Sequence, residues 1–157
     1  MRTLREQPGN NRQSKPDRVW IPWSDGRAVR FLLDSNALIA LFKGHPGFLR
    51  RLREYQPWDF GIPAIVVHEL FYGAYKGQRT AENLARVVGL QFEVVDFDRE
   101  DARAAGELRA RLTAVGTPIR PNDVLIAGQA LARKLSLVTH NTSEFLRVPG
   151  PRAADWD

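Results

Sequence analysis

Cysteine is absent from this chain of 157 residues, and its absence excludes several kinds of chemistry. A protein without thiols has no disulfide, no thiolate zinc site and no cysteine nucleophile. Any bound metal must therefore be held by oxygen or imidazole ligands. Oxygen ligands favour Mg²⁺ or Mn²⁺.

Long apolar runs are absent as well. No stretch approaches the roughly 20 apolar residues that a membrane helix needs, and the first thirty residues lack the apolar segment of a secretory signal. We therefore expect no membrane association and a cytoplasmic location. The chain also has no glycine-rich nucleotide-binding motif and no nucleophile elbow.

The net charge of +5 is concentrated near the amino terminus. Residues 1–30 contain seven basic and three acidic side chains, whereas residues 31–157 contain sixteen basic and fifteen acidic ones. A basic segment can bind phosphate without specificity, although such charge runs are more commonly solvated. The charge alone therefore does not establish nucleic-acid binding.

Residues 1–29 differ from the remainder in composition, since proline, glycine and polar residues interrupt any regular period. We predict a basic, partly disordered extension over 1–29 and one compact domain over 30–157. Met1 is the only methionine, so a shorter native chain that begins near Val29 is kept open.

From Phe31 onward, short apolar runs that suit buried strands alternate with segments of helical period. Strands are predicted near 31–33, 58–62, 92–97 and 135–139, with helices between them. This alternation indicates crossover connections and a parallel sheet that is covered on both faces. Ligands of such sheets bind beyond the carboxyl ends of the strands.

Three acidic residues lie at borders between apolar runs and helices: Asp34, Glu69 and Asp123. They are too far apart in sequence to meet locally, so only the fold can bring them together. Carboxylates that cluster repel one another and favour a bound cation. We therefore predict that these three residues bind a divalent metal and support phosphodiester hydrolysis.

Each acid also has a structural interpretation. Asp34 and Asp123 stand where helix-capping residues are common, and Glu69 alone would be a surface or ion-paired residue. His68-Glu69 begins like a zinc-protease motif, but Tyr72 occupies the position of the required second histidine. His45 and His140 are isolated, and structural roles are more common for such residues.

Four segments together resemble the PIN-domain ribonucleases, in particular the VapC-type toxins of bacterial toxin-antitoxin pairs. They are 31–36 (FLLDSN), 62–73 (IPAIVVHELFYG), 116–127 (GTPIRPNDVLIA) and 137–150 (LVTHNTSEFLRVPG). The resemblance extends over residues 30–156. It implies a three-layer α/β/α sandwich with a parallel central sheet and an endoribonuclease that depends on Mg²⁺ or Mn²⁺.

By this resemblance, Asp34, Glu69 and Asp123 match the catalytic, metal-binding acids, and five further residues support the site: Ser35, Asn36, Asn122, Thr139 and Asn141. Ser35 stands where threonine is usual. Asn141 stands where many relatives have a fourth acid, which puts a second tightly held cation in doubt. The family further implies a cognate VapB-type antitoxin, a homodimer and structured RNA, with tRNA favoured, as the substrate.

Contacts with RNA outside the metal site are harder to predict. The candidates for phosphate contact are Arg50, Arg51, Arg53, Lys76 and Arg79, and those for base stacking are Phe48, Tyr55 and Trp58. Solvated or core roles are more common for such residues. A DNA-directed nuclease and a non-catalytic binding module are the alternative functions.

Overall fold

The structure, a computed structural model, describes residues 28–150 and 152–156. The predicted extension over 1–29 thus lies almost wholly outside the described residues, and the division into two regions stays a prediction. The strands are β1 (Phe31–Leu33), β2 (Phe60–Pro63), β3 (Glu93–Val95), β4 (Ser136–Val138) and β5 (Ala153–Ala154). The helices are α1 (Ser35–Lys43), α2 (Pro46–Leu52), α3 (Ala64–Lys76), α4 (Thr80–Val88), α5 (Arg99–Ala114), α6 (Pro121–Arg133) and α7 (Thr142–Phe145).

The five strands form one parallel sheet in the order β3-β2-β1-β4-β5. In the centre, Leu32 is in register with Gly61 on one side and with Leu137 on the other. Leu32 and Leu137 are fully buried, as expected for strands covered on both faces. The predicted parallel sheet flanked by helices is confirmed. Because all strands run the same way, their carboxyl ends share one edge of the sheet, which is called the carboxyl edge below.

Aromatic side chains close one end of the core. The Trp156 ring stacks on Tyr55 with centroids 5.5 Å apart and makes an edge contact with Phe31 at 5.3 Å. Phe48 is fully buried in the same cluster. Phe48 is therefore unavailable for base stacking, which agrees with the core role that was considered more common for it. Tyr55 is half-buried and packs against the core, and its contact with RNA stays a prediction.

Helices α5 and α6 pack unusually closely. A Cβ added to Gly128 would lie only 2.4 Å from Cα of Ala105, so glycine is needed where the two backbones approach. Beside this contact the carboxylate of Asp101, 1% exposed, accepts hydrogen bonds from Arg133 and Gln129. Asp101 and Asp98 also form the capping box that begins α5.

Several element bounds differ from those expected. Residues 57–59 form a short 3-10 helix, so β2 begins two residues later than predicted, and α2 starts at Pro46. The short elements α7 and β5 were not predicted at all. Of the described helices, none is long and apolar enough to span a membrane.

Candidate active site

Asp34 lies at the carboxyl end of β1 and begins α1. Its Oδ1 accepts a hydrogen bond of 2.8 Å from the backbone N–H of Ala37, and its own N–H donates to the carbonyl of Val138 in β4. The N-cap interpretation of Asp34 is therefore confirmed. Burial raises the pKa of Asp34, although hydrogen bonds from the Thr139 hydroxyl and from backbone N–H groups, including that of Asn36, oppose the rise.

Glu69 lies on α3 and joins two other elements. Ser35 at the start of α1 donates its hydroxyl to Oε2 of Glu69, and Asn122 at the start of α6 donates from Nδ2 to Oε1 at 2.9 Å. Glu69 thus bridges the residue that follows Asp34 and the residue that precedes Asp123. The predicted supporting residues Ser35 and Asn122 fix both oxygens of one carboxylate.

Asp123 occupies the first turn of α6 and is 8% exposed. Arg120 Nε donates to its Oδ2 at 2.8 Å. Burial, assisted by a hydrogen bond with Glu144, raises the pKa of Asp123 to about 6 despite the opposing charge of Arg120. The same hydrogen bond lowers the pKa of Glu144, so the two carboxyl groups compete for one proton as the pH falls.

Glu144 is a site residue that the sequence analysis missed. It lies on α7 and also hydrogen-bonds the side chain of Asn141. Its buried Oε2 has no hydrogen-bond partner and lies 3.6 Å from Arg120 Nε. The signal was its position three residues after Asn141, because that spacing places both side chains on one side of a short helix. Glu144 therefore places a carboxylate close to Asn141, which stands where many relatives have a fourth acid.

Thr139 and Asn141 connect the remaining parts of the site. The backbone N–H of Asn141 donates to Oγ1 of Thr139 at 2.9 Å, and the Thr139 hydroxyl bonds Asp34. Two hydrogen-bonded paths therefore join the start of α1 to the start of α6. One runs through Glu69, and the other runs through Thr139, Asn141 and Glu144.

The chemistry of the donor set suits a hard divalent cation, because carboxylate, hydroxyl and amide oxygens meet at one edge of the sheet. Two observations agree with this fit: the orphaned Oε2 of Glu144 and the raised pKa values of Asp34 and Asp123. Within the described part of the chain, no three histidine or acidic side chains are already grouped as metal ligands. The carboxylates instead hydrogen-bond the neighbouring side chains described above.

An apolar cavity of about 220 Å³ opens beside Glu69 between α1, α3 and α4. Ile39 and Phe42 of α1 line one side, and Leu70 and Ala74 of α3 line the other. Glu69 stands at its border, so a ligand of this cavity would lie next to the carboxylates.

Comparison with known proteins agrees with this fold. The family model described as "PIN domain" matches residues 31–151. The "tRNA(fMet)-specific endonuclease VapC" of Salmonella typhimurium is 40% identical over 130 residues, which span 82% of this chain and 98% of that protein. The protein of the same name from Shigella flexneri is 38% identical, with the same coverage of both chains.

Solved structures give the same result. The crystal structure of DNA-bound VapBC from Salmonella typhimurium contains a chain that matches with a TM-score of 0.77 and 37% identity, over 82% of this chain and 99% of that one. The present chain therefore belongs to the PIN-domain family and, within it, to the VapC proteins. The family expected from the four sequence segments is confirmed.

Proposed function

We propose that this protein is a divalent-metal-dependent endoribonuclease that acts as the toxin of a toxin-antitoxin pair. The names of its relatives support this function, because the Salmonella and Shigella proteins are described as tRNA endonucleases. The family is metal-dependent as a class, and we assign Mg²⁺ or Mn²⁺ as the cation here. Structured RNA, with tRNA favoured, is the substrate, and the outcome is inhibited translation and arrested growth.

The observation that carries the proposal is the pair of hydrogen-bonded paths that link Asp34 with Asp123. Four carboxylates from separate parts of the chain lie at this one edge: Asp34 between β1 and α1, Glu69 on α3, Asp123 on α6 and Glu144 on α7. A purely structural fold has no need to bury Asp34 and Asp123 at one edge with two further, half-buried acids beside them, because each buried charge lowers stability.

Asp34, Asp123 and Glu69 are the residues that would hold the cation, with Glu144 beside them. When bound, a divalent cation supplies positive charge that polarises a phosphodiester and favours its attack by water. The chain's own residues supply orientation. Ser35 and Asn122 hold both oxygens of Glu69, while Ala37 and Thr139 hold Asp34, so these contacts fix the orientation of both acids.

Arg120 has a separate role beside Asp123. Its guanidinium compensates part of the negative charge of Asp123 and Glu144, while its side chain remains 63% exposed. It can therefore exchange one of these carboxylates for a phosphate oxygen when RNA approaches. Hydrolysis by water should leave a 5′-phosphate and a 3′-hydroxyl on the two RNA fragments.

The experiment is a cleavage assay with the purified full chain, a tRNA and a DNA hairpin of matched size, in Mg²⁺ and in EDTA. We expect the tRNA to be cut only with metal and only by wild-type protein, while folded Asp123→Asn protein cuts neither substrate. Preferred cutting of DNA would establish the DNA-directed alternative. Absence of cleavage by wild-type protein, together with retained RNA binding, would establish the non-catalytic one.

We further propose a VapB-type antitoxin as the protein partner. The support is the similarity to a chain of the Salmonella VapBC complex. Growth of a bacterial host should stop when this chain is expressed and recover when a small DNA-binding protein from the adjacent gene is co-expressed. Unaffected growth with active, folded protein would contradict the toxin role. The homodimer and the cytoplasmic location stay predictions from the sequence.

A further inference from the structure

The solvent side of α3 carries an unusual set of exposed residues next to the acidic site. Tyr72 is 61% exposed and Tyr75 is 67% exposed, although tyrosine rings are commonly half-buried. His68 and Lys76 are exposed on the same helix. These four residues, His68, Tyr72, Tyr75 and Lys76, are called the tyrosine face below.

Helical geometry places the tyrosine face directly beside Glu69. At 3.6 residues per turn, Tyr72 and Lys76 follow Glu69 on nearly the same side of the helix, about 4.5 and 10.5 Å further along its axis. Leu70 and Ala74 point the other way and line the apolar cavity. Glu69 therefore separates two different surfaces of α3.

Lys76 gives the tyrosine face a positive charge. Lys76 Nζ lies 5.6 Å from the centroid of the Tyr72 ring, so a cation and an exposed ring form one unit. Among the described residues, no carboxylate forms an ion pair with Lys76. Arg79, whose side chain is 78% exposed, lies beyond the end of α3 and pairs with Glu82 at 3.8 Å.

Rings that alternate with cations are the combination that binds single-stranded nucleic acid, because bases stack on the rings while phosphates pair with the cations. An apolar protein segment would gain more from the cavity, where it could bury Ile39 and Leu70. The tyrosine face offers such a segment two hydroxyl groups and a lysine ammonium that would have to be desolvated.

Resting on the proposed function, we propose that the tyrosine face binds unpaired RNA next to the phosphodiester that is cut. Tyr72 stacks on a base one helical turn from Glu69, Lys76 contacts the adjoining phosphate, and Tyr75 offers a second stacking surface. The stacking residues are thus these tyrosines and not the buried Phe48 named from the sequence.

The first test measures binding without cleavage. A fluorescent unpaired oligoribonucleotide is titrated in EDTA with the full-length wild-type, Tyr72→Ala, Tyr72→Phe, Tyr75→Ala and Lys76→Gln proteins. Stacking contributes about 1–3 kcal/mol per base, so Tyr72→Ala should weaken binding about tenfold, while Tyr72→Phe retains the ring and the affinity. Lys76→Gln should weaken binding and reduce its salt dependence.

Matched controls remove exposed side chains far from the tyrosine face. Val115→Ala shortens an exposed apolar side chain at the end of α5, and Arg109→Gln deletes an exposed charge on α5. Both should bind RNA within about twofold of wild type. Thermal unfolding of every variant checks the fold, and Tyr75→Ala serves as the test variant if Tyr72→Ala is unstable.

The second test measures cleavage of the same RNA in Mg²⁺. Tyr72→Ala should raise KM about tenfold and leave kcat within about twofold, because its ring binds the substrate outside the carboxylate cluster. If wild-type protein cuts RNA and Tyr72→Ala binds and cuts it equally well, this inference is wrong while the nuclease stands. If wild-type protein does not cut and Tyr72→Ala still loses RNA affinity, the nuclease proposal fails while the RNA face stands.

A third measurement tests whether RNA or a protein partner occupies the tyrosine face. The variants are tested for binding of the VapB-type protein from the adjacent gene. We expect Tyr72→Ala and Lys76→Gln to bind it like wild type. Loss of that binding with unchanged RNA affinity would overturn the inference and assign the tyrosine face to the antitoxin.

Discussion

Two regions of the molecule bury an aspartate in the first turn of a helix, and the pKa of the aspartate shifts in opposite directions in the two. Asp101 on α5 is 1% exposed, and burial by itself would raise its pKa. Hydrogen bonds from Arg133, Gln129 and the backbone outweigh burial, so the pKa of Asp101 is lowered. Asp123 on α6 is 8% exposed, and burial together with Glu144 raises its pKa to about 6.

The difference separates a structural acid from a functional one. Asp101 has both oxygens satisfied by Arg133 and Gln129, so its charge is compensated within the fold. Asp123 has Arg120 on one oxygen, but its neighbour Glu144 is a second acid with an orphaned oxygen. Arg120 alone does not compensate both acids of this second region, which supports the proposed cation there.

The largest expected effect contrasts activity in the two regions. Asp123→Asn and Asp34→Asn should lower the rate of RNA cleavage by about 10³-fold or more, of the order lost when a charge-stabilising group is removed from an active site. Both variants should remain folded, because an amide retains the shape of the carboxyl group. Cleavage in Mg²⁺ and circular dichroism are the measurements.

Asp101→Asn serves as the matched control for these variants. It should cut RNA at nearly the wild-type rate at a temperature where it is folded. Equal loss of activity in the Asp101 and Asp123 variants would remove the distinction between the two regions.

The effects on stability should be the reverse: a substitution at Asp101 should destabilise the fold more than one at Asp123. Asp101→Ala leaves Arg133 and Gln129 without their partner and should lower the free energy of unfolding by about 2–4 kcal/mol, since the arginine is partly exposed and keeps some solvation. Asp123→Asn should change it by less than about 1 kcal/mol in metal-free buffer. Urea unfolding followed by fluorescence measures both, and a larger loss in Asp123→Asn would contradict the comparison.

Glu144, which was not among the candidates from the sequence, provides a sharper test of metal binding. Glu144→Gln removes a negative charge beside Asp123 and should weaken Mn²⁺ binding about tenfold, the lower end of the range for residues that support metal ligands. Titration with Mn²⁺ monitored by electron paramagnetic resonance reads the affinity. Glu107→Gln, which removes an exposed glutamate paired with Arg111 on α5, should leave it unchanged. Identical affinities in the two variants would exclude Glu144 from the site.

The smallest expected effect is a dependence of stability on pH. The pKa of Asp123 in the folded chain is raised from 3.8 to about 6, so folding favours its protonated form. The stability that this provides is complete below pH 3.8 and is lost as pH rises through 6. Between pH 5 and 7.5, metal-free wild-type protein should lose about 1 kcal/mol more than Asp123→Asn, or a few degrees in Tm. A steeper loss in Asp123→Asn would contradict the raised pKa.

Much of the fold followed from local pattern, because buried parallel strands such as Phe31–Leu33 are continuous apolar runs and α5 begins with a capping box. The short elements α7 and β5 could not be predicted. The four residues of α7 and the two of β5 carry too little periodicity, and β5 exists because its backbone pairs with β4.

The candidate residues of the site could be chosen from the sequence, and their catalytic role stays a prediction, whereas their contacts could not be foreseen. Asp34, Glu69 and Asp123 stood out because acids at the borders of apolar runs are uncommon. Ser35 and Asn122 hold the two oxygens of Glu69 only because α1, α3 and α6 approach one another closely. Local sequence does not encode such distances between helices. For the same reason, the pairing of Asp123 with Glu144 could not be predicted.

Binding of Mn²⁺ at pH 7.5 by the wild-type, Asp34→Asn, Asp123→Asn and Asp101→Asn proteins tests the central claim most directly. The account predicts that wild-type and Asp101→Asn proteins bind the cation alike, while Asp34→Asn and Asp123→Asn bind it at least about tenfold more weakly. Equal affinity in all four folded proteins would show that the carboxyl-edge acids do not hold the metal.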